Sequence, residues 1–216
     1  MRQRNVKNQD EILSNCSFYT DDLASKKNSL KSKYTKISLE IGIGKGQFIY
    51  NLAKQNKDVL YIGIELNRGV VALATKKIAR FMQEDKEELT NLILTSYNAL
   101  NLNEIFNAGE VDTIYLNFSD PWPKKKHEKR RLTSDEFLKV YKAILKSECN
   151  IEFKTDNRKL FEYSIMNFNK NKMNIEFMSL NLHEDVASGV VESNIETEYE
   201  EKFSKFGPIY KCIVKF

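Results

Sequence analysis

The sequence contains 216 residues, of which 41% are hydrophobic and 30% are charged, and its formal net charge is +4. This length is enough for one domain with a buried core. The sequence has no apolar run long enough to cross a bilayer, and its start lacks the apolar core of a signal peptide, so we expect a cytoplasmic protein without a membrane partner. The cysteines Cys16, Cys149 and Cys212 lack metal-ligand spacing, which predicts reduced thiols and no bound metal.

Hydrophobic patterns predict alternating strands and helices after a polar segment. We expect residues 1–33 to form a polar arm or short helix and residues 34–216 to form a single domain. Strands are predicted in KISLEIG, VLYIGIE, NLILTSY, VDTIYLNF and ECNIEFKT, and helices in GQFIYNLAKQN, NRGVVALATKKIARFM, SDEFLKVYKAIL and RKLFEYSIMNF. The tail adds the strands NIEFMSLNL and PIYKCIVKF and no clear helix. This order predicts an α/β fold, with a mostly parallel seven-stranded sheet, helices on both faces and a C-terminal antiparallel strand pair.

A glycine-rich loop follows the first strand, at the edge where doubly wound sheets bind ligands. In LEIGIGKGQF, Glu40 precedes Gly42, Gly44 and Gly46. Glycines let the backbone turn sharply and approach a ligand closely. The spacing differs from the G-x-G-x-x-G of dinucleotide-binding proteins. A tight strand-to-helix turn is the alternative explanation.

The second strand ends in an acidic residue, Glu65, about 25 positions after Glu40. A carboxylate at this place can accept hydrogen bonds from both hydroxyls of a ribose. A lone acid after a strand is often only solvated. Together with the glycine loop, however, Glu65 predicts a cofactor that contains adenosine.

The fourth strand runs into a stiff turn followed by a basic tract. Asp120 precedes Pro121, which favours extended backbone at Asp120, and Pro123 stiffens the other side of Trp122. Residues 124–131 then carry six Lys or Arg against one Glu. A structural turn explains the prolines, but it does not explain why a carboxylate, a tryptophan and a basic tract occur together.

From about Ser38 onward, the chain resembles the bacterial tRNA (guanine-N7)-methyltransferase family. The matching segments are LEIGIGKGQFI, YIGIELN, LNFSDPWPKKKHEKRRLT, FKTDN and TEYEEKF. Many methyltransferases share the first two, whereas the third is highly specific. The resemblance implies a Rossmann-like class I methyltransferase fold with S-adenosyl-L-methionine as cofactor. It also implies methyl transfer to N7 of a guanine in the variable loop of tRNA, by a monomer or a homodimer.

The resemblance also implies three groups of site residues. The cofactor-binding group is Glu40, Gly42, Gly44, Gly46, Glu65, Asn98 and Asp120, and Asp120 is also the candidate catalytic residue. The substrate-binding group is Lys124, Asp156, Thr197, Glu198, Tyr199 and Glu200. The RNA-binding group is Lys126, His127, Glu128, Lys129, Arg130 and Arg131.

Asn98 departs from the family pattern, which usually has an aspartate after the third strand. In this fold the residue typically accepts a hydrogen bond from the adenine amino group, and an asparagine carbonyl oxygen still can. We therefore expect weaker cofactor binding rather than none. The alternative is that Asn98 is an ordinary loop residue.

Methylation of guanine N7 needs no strong general base, because N7 has a free lone pair and loses no proton. The site must place N7 in line with the methyl group, and a nearby carboxylate stabilises the positive charge that moves onto the purine. Asp120 and Asp156 are the candidates, although Asp156 also suits a helix N-cap. Thr197 and Glu200 are predicted to hold the Watson–Crick edge, although acidic clusters near a C-terminus are often only exposed.

The basic tract is predicted to hold RNA phosphates while the guanine is drawn out of its tertiary pairing. A solvated surface is the alternative for such a tract. Three other functions remain open: an RNA-binding protein that has lost catalysis, an adenine amino-methyltransferase and a nicotinamide-dependent dehydrogenase. Trp122 stands where the adenine enzymes have a second proline, and the glycine spacing disfavours the dehydrogenase.

Overall fold

The computed structural model describes residues 6–216, so residues 1–5 of the expected arm lie outside the described part. The chain forms two compact units, of which the first ends at Phe106 and the second begins at Asn107. The expected division into residues 1–33 and one domain of residues 34–216 stays a prediction. Among residues 6–216, no helix has both the length and the apolar character needed to cross a bilayer.

Three parallel strands form the sheet of the first unit, β1 Lys36–Ile41, β2 Val59–Glu65 and β3 Leu92–Ser96. β2 lies in the middle, because it pairs with both β1 and β3. Except at their ends, β1 and β2 are buried, as expected for parallel strands that are covered on both faces. The helices of this unit are α1 Gln9–Ser14, α2 Leu23–Leu30, α3 Gln47–Gln55 and α4 Arg68–Asp85.

The segment before β1 contributes to the core of the first unit. Leu13 and Leu23 are each 1% exposed. The N–H of Leu94 in β3 donates to the carbonyl of Phe18 at 2.7 Å, and the N–H of Thr20 donates to the carbonyl of Leu94 at 3.0 Å. Since these bonds extend the parallel pairing past β3, this part of the N-terminal segment is packed and paired.

The second unit contains the strands β4 Val111–Asn117, β5 Leu145–Thr155, β6 Asn174–Ser179 and β7 Tyr210–Lys215. β4 and β5 are parallel, and β7 is antiparallel to both β5 and β6. The prediction of a mostly parallel, seven-stranded sheet that ends in an antiparallel pair is confirmed. The longer helices are α5 Asp135–Ile144 and α6 Arg158–Lys170.

The prediction that the tail has no clear helix is wrong. Two short helices, α7 Leu182–Ala187 and α8 Glu198–Phe203, lie between β6 and β7. Each spans only six residues, which is too short for the 3.6-residue periodicity that identifies amphipathic helices. Thr197 and Glu200 form a capping box at the start of α8, and their T-x-x-E spacing is a sequence feature by which this helix could have been found.

Buried aromatic rings fix β5 against α6. Phe153 has no exposed surface. Its ring centroid lies 6.3 Å from that of Phe161 and 6.4 Å from that of Phe168, both on α6. Offset and edge-to-face pairs at such distances add to the free energy of burial. The carboxyl end of β5, where Asp156 follows, is therefore anchored to the core.

Candidate active site

The glycine loop after β1 needs glycine for two different reasons. Gly42, Gly44 and Gly46 have φ angles of 83°, 52° and 79°, in the left-handed region that other residues avoid. A Cβ at Gly46 would lie 2.7 Å from Cδ1 of Ile78, so this residue also allows α3 to pack on α4. A Cβ at Gly44 would meet no atom within 4 Å. The loop backbone is therefore open to a ligand at Gly44.

Two carboxylates lie on neighbouring strands beside this loop. Glu40 is 2% exposed near the end of β1, and Glu65 is half-buried at the end of β2. Glu65 Oε1 accepts a hydrogen bond from the Asn67 N–H at 3.1 Å. Asn67 Oδ1 in turn accepts from the Gly69 N–H at 2.9 Å and caps α4. The start of α4 thus holds the Glu65 carboxylate in place.

Asn98 is an exposed residue that caps the 3-10 helix Ala99–Glu104. Its Oδ1 accepts a hydrogen bond from the Leu100 N–H at 3.1 Å. A carbonyl oxygen has two lone pairs. The capping role and a hydrogen bond from an adenine amino group are therefore compatible, and cofactor binding by Asn98 stays a prediction.

The Asp-Pro-Trp-Pro turn after β4 has strained backbone on both sides of Asp120. Phe118 and Trp122 have positive φ angles of 49° and 40°, which costs of order 1–3 kcal/mol for each residue that is not glycine. Asp120 itself is exposed. Strain of this kind persists only where surrounding contacts impose it, and here Arg131 donates to the carbonyls of Pro121 at 3.0 Å and Trp122 at 3.1 Å.

The basic tract forms a 3-10 helix, Lys125–Arg130, directly after this turn. The Arg130 guanidinium lies 4.9 Å from the centroid of the Trp122 ring, and His127 meets the same ring edge-on at 5.6 Å. Lys124 and Lys126 are exposed, as is Lys129, which pairs with Glu136 at 3.3 Å. Among the predicted RNA-binding residues, Arg131 is half-buried, as are His127 and Glu128, and its guanidinium donates hydrogen bonds to the turn.

At the end of β5, Asp156 is joined to α8. Its Oδ2 accepts a hydrogen bond from the Tyr199 hydroxyl at 2.9 Å. Burial, with this hydrogen bond as the second cause, raises the pKa of Tyr199 to about 12. The alternative that Asp156 caps α6 is wrong. The cap is Asn157, whose Oδ1 accepts from the Leu160 N–H at 2.9 Å.

Thr197 and Glu200 are both engaged within the protein. Thr197 Oγ1 accepts from the Glu200 N–H at 3.0 Å. The Glu200 side chain has no exposed surface, and its carboxylate is 2.7 Å from Nζ of Lys154. Glu198 is half-buried on the same helix. Contacts of Thr197 and Glu200 with guanine stay predictions, and in this structure both side chains stabilise α8.

Comparison with known proteins identifies the family. Residues 34–212 match the family described as "Putative methyltransferase". The chain is 43% identical over 217 residues to a tRNA (guanine-N(7)-)-methyltransferase of Alkaliphilus metalliredigens, with 99% of each chain covered. It is 46% identical over 196 residues to one of Bacillus subtilis, with 90% of this chain and 87% of the relative covered.

The chain belongs to the tRNA (guanine-N(7)-)-methyltransferase family. Solved structures also confirm the predicted Rossmann-like class I methyltransferase fold of this family member. The 16S rRNA methyltransferase KamB aligns with a TM-score of 0.65 at 15% identity and covers 92% of this chain and 94% of its own. A 16S rRNA (adenine(1408)-N(1))-methyltransferase from Catenulisporales acidiphilia aligns with a TM-score of 0.65 at 13% identity. This alignment covers 91% of this chain and 94% of the other.

In this tRNA (guanine-N(7)-)-methyltransferase family member, the predicted residues gather at strand ends within each unit. Glu40, Glu65 and Asn98 lie at or just beyond the carboxyl ends of β1, β2 and β3. Asp120 and Asp156 follow β4 and β5, which are paired in parallel. Among residues 6–216, no group of three or more His, Cys, Asp or Glu is arranged to hold a metal ion.

Two contacts near the predicted site residues of this family member were missed from the sequence. Lys154 was not singled out, although its side chain is only 4% exposed and forms an ion pair with Glu200. The centroid of the Tyr199 ring lies 5.1 Å from that of Phe118 and 4.3 Å from that of Phe203. Lys154 lies in FKTDN and Glu200 in TEYEEKF, and only the resemblance to the family had connected these two segments. Hydrophobic periodicity gave no sign of the ion pair or of the ring contacts.

Proposed function

We propose that this family member transfers a methyl group from S-adenosyl-L-methionine to N7 of a guanine in the variable loop of tRNA. The observation that carries the proposal is the match to tRNA (guanine-N(7)-)-methyltransferases, which in one case covers 99% of both chains. The arrangement of the strand ends supports it, since carboxylates and a basic tract follow the strands at which this fold binds ligands. Cytoplasmic location and a monomeric or homodimeric state stay predictions.

The residues of the first unit fit S-adenosyl-L-methionine. Open backbone at Gly44 gives space for a ligand, Glu65 is held where it can accept from ribose hydroxyls, and Asn98 can accept from an adenine amino group. The buried carboxylate of Glu40 adds negative charge at the end of β1, which favours a ligand that carries positive charge. When bound, the cofactor supplies the methyl group on a positively charged sulfur.

In the second unit, Asp120 and Asp156 act on the guanine. Neither carboxylate has to remove a proton, because N7 attacks with its own lone pair. Asp120, on the strained turn, stabilises the positive charge that develops on the purine. Asp156 accepts hydrogen bonds from the N–H groups of the guanine edge and so fixes the orientation of the ring.

The exposed cations of the basic tract bind the RNA backbone. Lys124, Lys126 and Lys129 each present an ammonium group to solvent. Every phosphate that such a group neutralises releases counterions, so the affinity for tRNA depends steeply on salt and little on sequence. The tract begins four residues after Asp120, at Lys124, which brings bound RNA close to the carboxylate that acts on the guanine.

A pair of glycine variants tests the cofactor site. Gly44 and Gly189 both have positive φ angles, 52° and 78°, and a Cβ at either would meet no atom within 4 Å. Gly44→Ala and Gly189→Ala therefore cause similar backbone strain, but only the first adds a methyl group at the proposed cofactor loop. In calorimetric titrations we expect Gly44→Ala to weaken binding of S-adenosyl-L-methionine at least about tenfold, and Gly189→Ala to leave it unchanged. Equal affinities in the two variants would place the cofactor elsewhere.

The binding titration also distinguishes the alternative functions. An RNA-binding protein that has lost catalysis would bind tRNA but fail to bind S-adenosyl-L-methionine at millimolar concentration. An adenine amino-methyltransferase would bind the cofactor and yield N6-methyladenosine. Membership of a methyltransferase family opposes the dehydrogenase, which would bind a nicotinamide cofactor instead.

A further inference from the structure

The second unit contains a buried ion pair that the proposed mechanism does not use. Lys154, on β5, and Glu200, on α8, have side chains that are 4% and 0% exposed, and the distance from Nζ to Oε2 is 2.7 Å. Besides Glu200, the ammonium group donates to the carbonyl of Ile195 at 2.9 Å and to Asn194 Oδ1 at 3.2 Å. Its three donors thus have three acceptors.

The carboxylate of Glu200 is equally well supplied with partners. Its Oε1 accepts from Asn194 Nδ2 at 2.7 Å and lies 3.1 Å from His183 Nε2. Asn194 therefore bridges both members of the ion pair. A buried charge is costly unless such partners compensate it, so this network ties the segment 194–200 firmly to β5.

The ion pair lies next to the predicted guanine-binding residues on both elements. Lys154 precedes Asp156 by two residues, and Glu200 follows Tyr199 directly. The 2.9 Å hydrogen bond from Tyr199 to Asp156 is thus a second link between the same two elements. Tyr199 is held further by the ring of Phe203 at 4.3 Å. Any shift of α8 along β5 would break both links.

From this arrangement we infer that Lys154 and Glu200 are positioning residues, which hold Tyr199 so that its hydroxyl fixes the Asp156 carboxylate. The Tyr199 hydroxyl donates a hydrogen bond to Oδ2 of Asp156. This bond sets the rotation of the carboxylate, so that Oδ1 accepts from guanine. Glu200 then acts through Tyr199 and Asp156 and does not touch the base. The inference rests on the proposed function, because it assigns the guanine contact to Asp156.

A double-mutant cycle tests this role. Glu200→Gln leaves the Lys154 ammonium group buried without its charged partner, whereas adding Lys154→Gln restores a neutral, hydrogen-bonded pair. We expect each single variant to lose kcat/KM for unmodified tRNA, and the double variant to recover activity with a coupling of about tenfold or more. Glu201→Gln, an exposed change on the same helix, is the matched control and should keep wild-type rates. If Glu200 contacts guanine directly, the double variant stays as inactive as Glu200→Gln, and the inference is wrong.

Tyr199→Phe keeps the ion pair and removes only the hydrogen bond to Asp156, so it remains informative if the single variants do not fold. It should lower kcat about tenfold while KM for tRNA stays unchanged, because phosphate contacts dominate RNA affinity. An unchanged kcat would overturn the inference.

Crystal structures give a measurement that does not depend on activity. The distance from Tyr199 Oη to Asp156 Oδ2 should exceed 3.5 Å in Glu200→Gln and return to hydrogen-bonding distance in the double variant. A distance that remains near 2.9 Å in Glu200→Gln would contradict the positioning role. A wild-type protein that makes no 7-methylguanosine would instead refute the proposed function, and the crystallographic comparison would still test whether the ion pair sets the Tyr199–Asp156 contact.

Discussion

Arg131 connects the basic tract to the strained turn, and its replacement tests whether the shape of that turn matters for methyl transfer. Its Nε donates to the carbonyl of Pro121 at 3.0 Å and its Nη2 to the carbonyl of Trp122 at 3.1 Å. The guanidinium carbon lies 4.1 Å from the centroid of the Tyr163 ring. Three contacts thus hold one side chain under the segment that presents Asp120.

The size of the effect follows from these contacts. A hydrogen bond from a charged donor contributes about 1.5–3 kcal/mol, and a cation over an aromatic ring contributes about 0.5–2 kcal/mol. The left-handed backbone at Phe118 and Trp122 costs of order 1–3 kcal/mol for each residue. Because Arg131 is half-buried, solvent replaces part of what Arg131→Ala removes. A net loss of about 2–3 kcal/mol in the stabilisation of the turn remains. Added to the activation free energy of methyl transfer, this loss corresponds to a roughly 30- to 160-fold fall in turnover.

Initial rates at saturating tRNA measure this loss. Lys129→Ala removes a charge from the same tract at a side chain that is 84% exposed, so it should weaken tRNA binding while kcat is kept. Arg131→Lys retains the charge but lacks the planar fork, and it should behave like Arg131→Ala. If Arg131→Ala and Lys129→Ala raise KM for tRNA equally and leave kcat alone, Arg131 is only an RNA-binding cation and the reasoning about the turn is refuted.

Three further changes test other parts of the site. Asp120→Asn should abolish methyl incorporation without lowering Tm, because the side chain is exposed, and a retained rate would remove Asp120 from catalysis. The double variant Lys125→Ala/Lys126→Ala should bind tRNA more weakly in filter-binding assays. The slope of log K against log salt should fall by about one for each phosphate that the variant no longer neutralises. An unchanged slope would place the RNA elsewhere. The pKa of Tyr199, raised from 10.0 to about 12, means that its stabilising contribution is complete below pH 10 and is lost as pH rises through about 12. Between pH 10 and about pH 12, the free energy of unfolding measured with urea should therefore fall less in Tyr199→Phe than in the wild type. Identical dependence of this free energy on pH in the two proteins would contradict the prediction.

The sequence predicted the framework because its strands and longer helices carry strong local patterns. VLYIGIE predicted a strand over the residues that β2 occupies, Val59–Glu65, since a continuous apolar run bounded by polar residues is typical of a buried parallel strand. α4 begins where Asn67 supplies a cap. β5 begins at Leu145, earlier than predicted, because pairing of Leu145 with Val111 in β4 extends the strand. Such pairing is not visible in a local pattern.

The prediction of the site was also limited to what local patterns in the sequence show. The glycine spacing and the strand-end acids could be recognised because their positions follow from local rules. The burial of Glu200 could not, because it depends on Lys154, 46 residues earlier in the chain. Nor could the structural role of Arg131, which in the sequence looks like any other cation of the basic tract. In both cases a charged side chain that was predicted to contact a ligand is held by partners within the protein, Glu200 by Lys154 and Arg131 by the carbonyls of the turn.

The most direct test of the function is to identify the methylated nucleoside. The wild-type protein is incubated with S-adenosyl-L-methionine labelled on its methyl group and with unmodified tRNA, which is then digested to nucleosides and separated. We predict that the label appears in 7-methylguanosine and that it is absent from the same reaction with Asp120→Asn. Label in N6-methyladenosine, or no label in tRNA while the cofactor binds, would contradict methyl transfer to guanine N7.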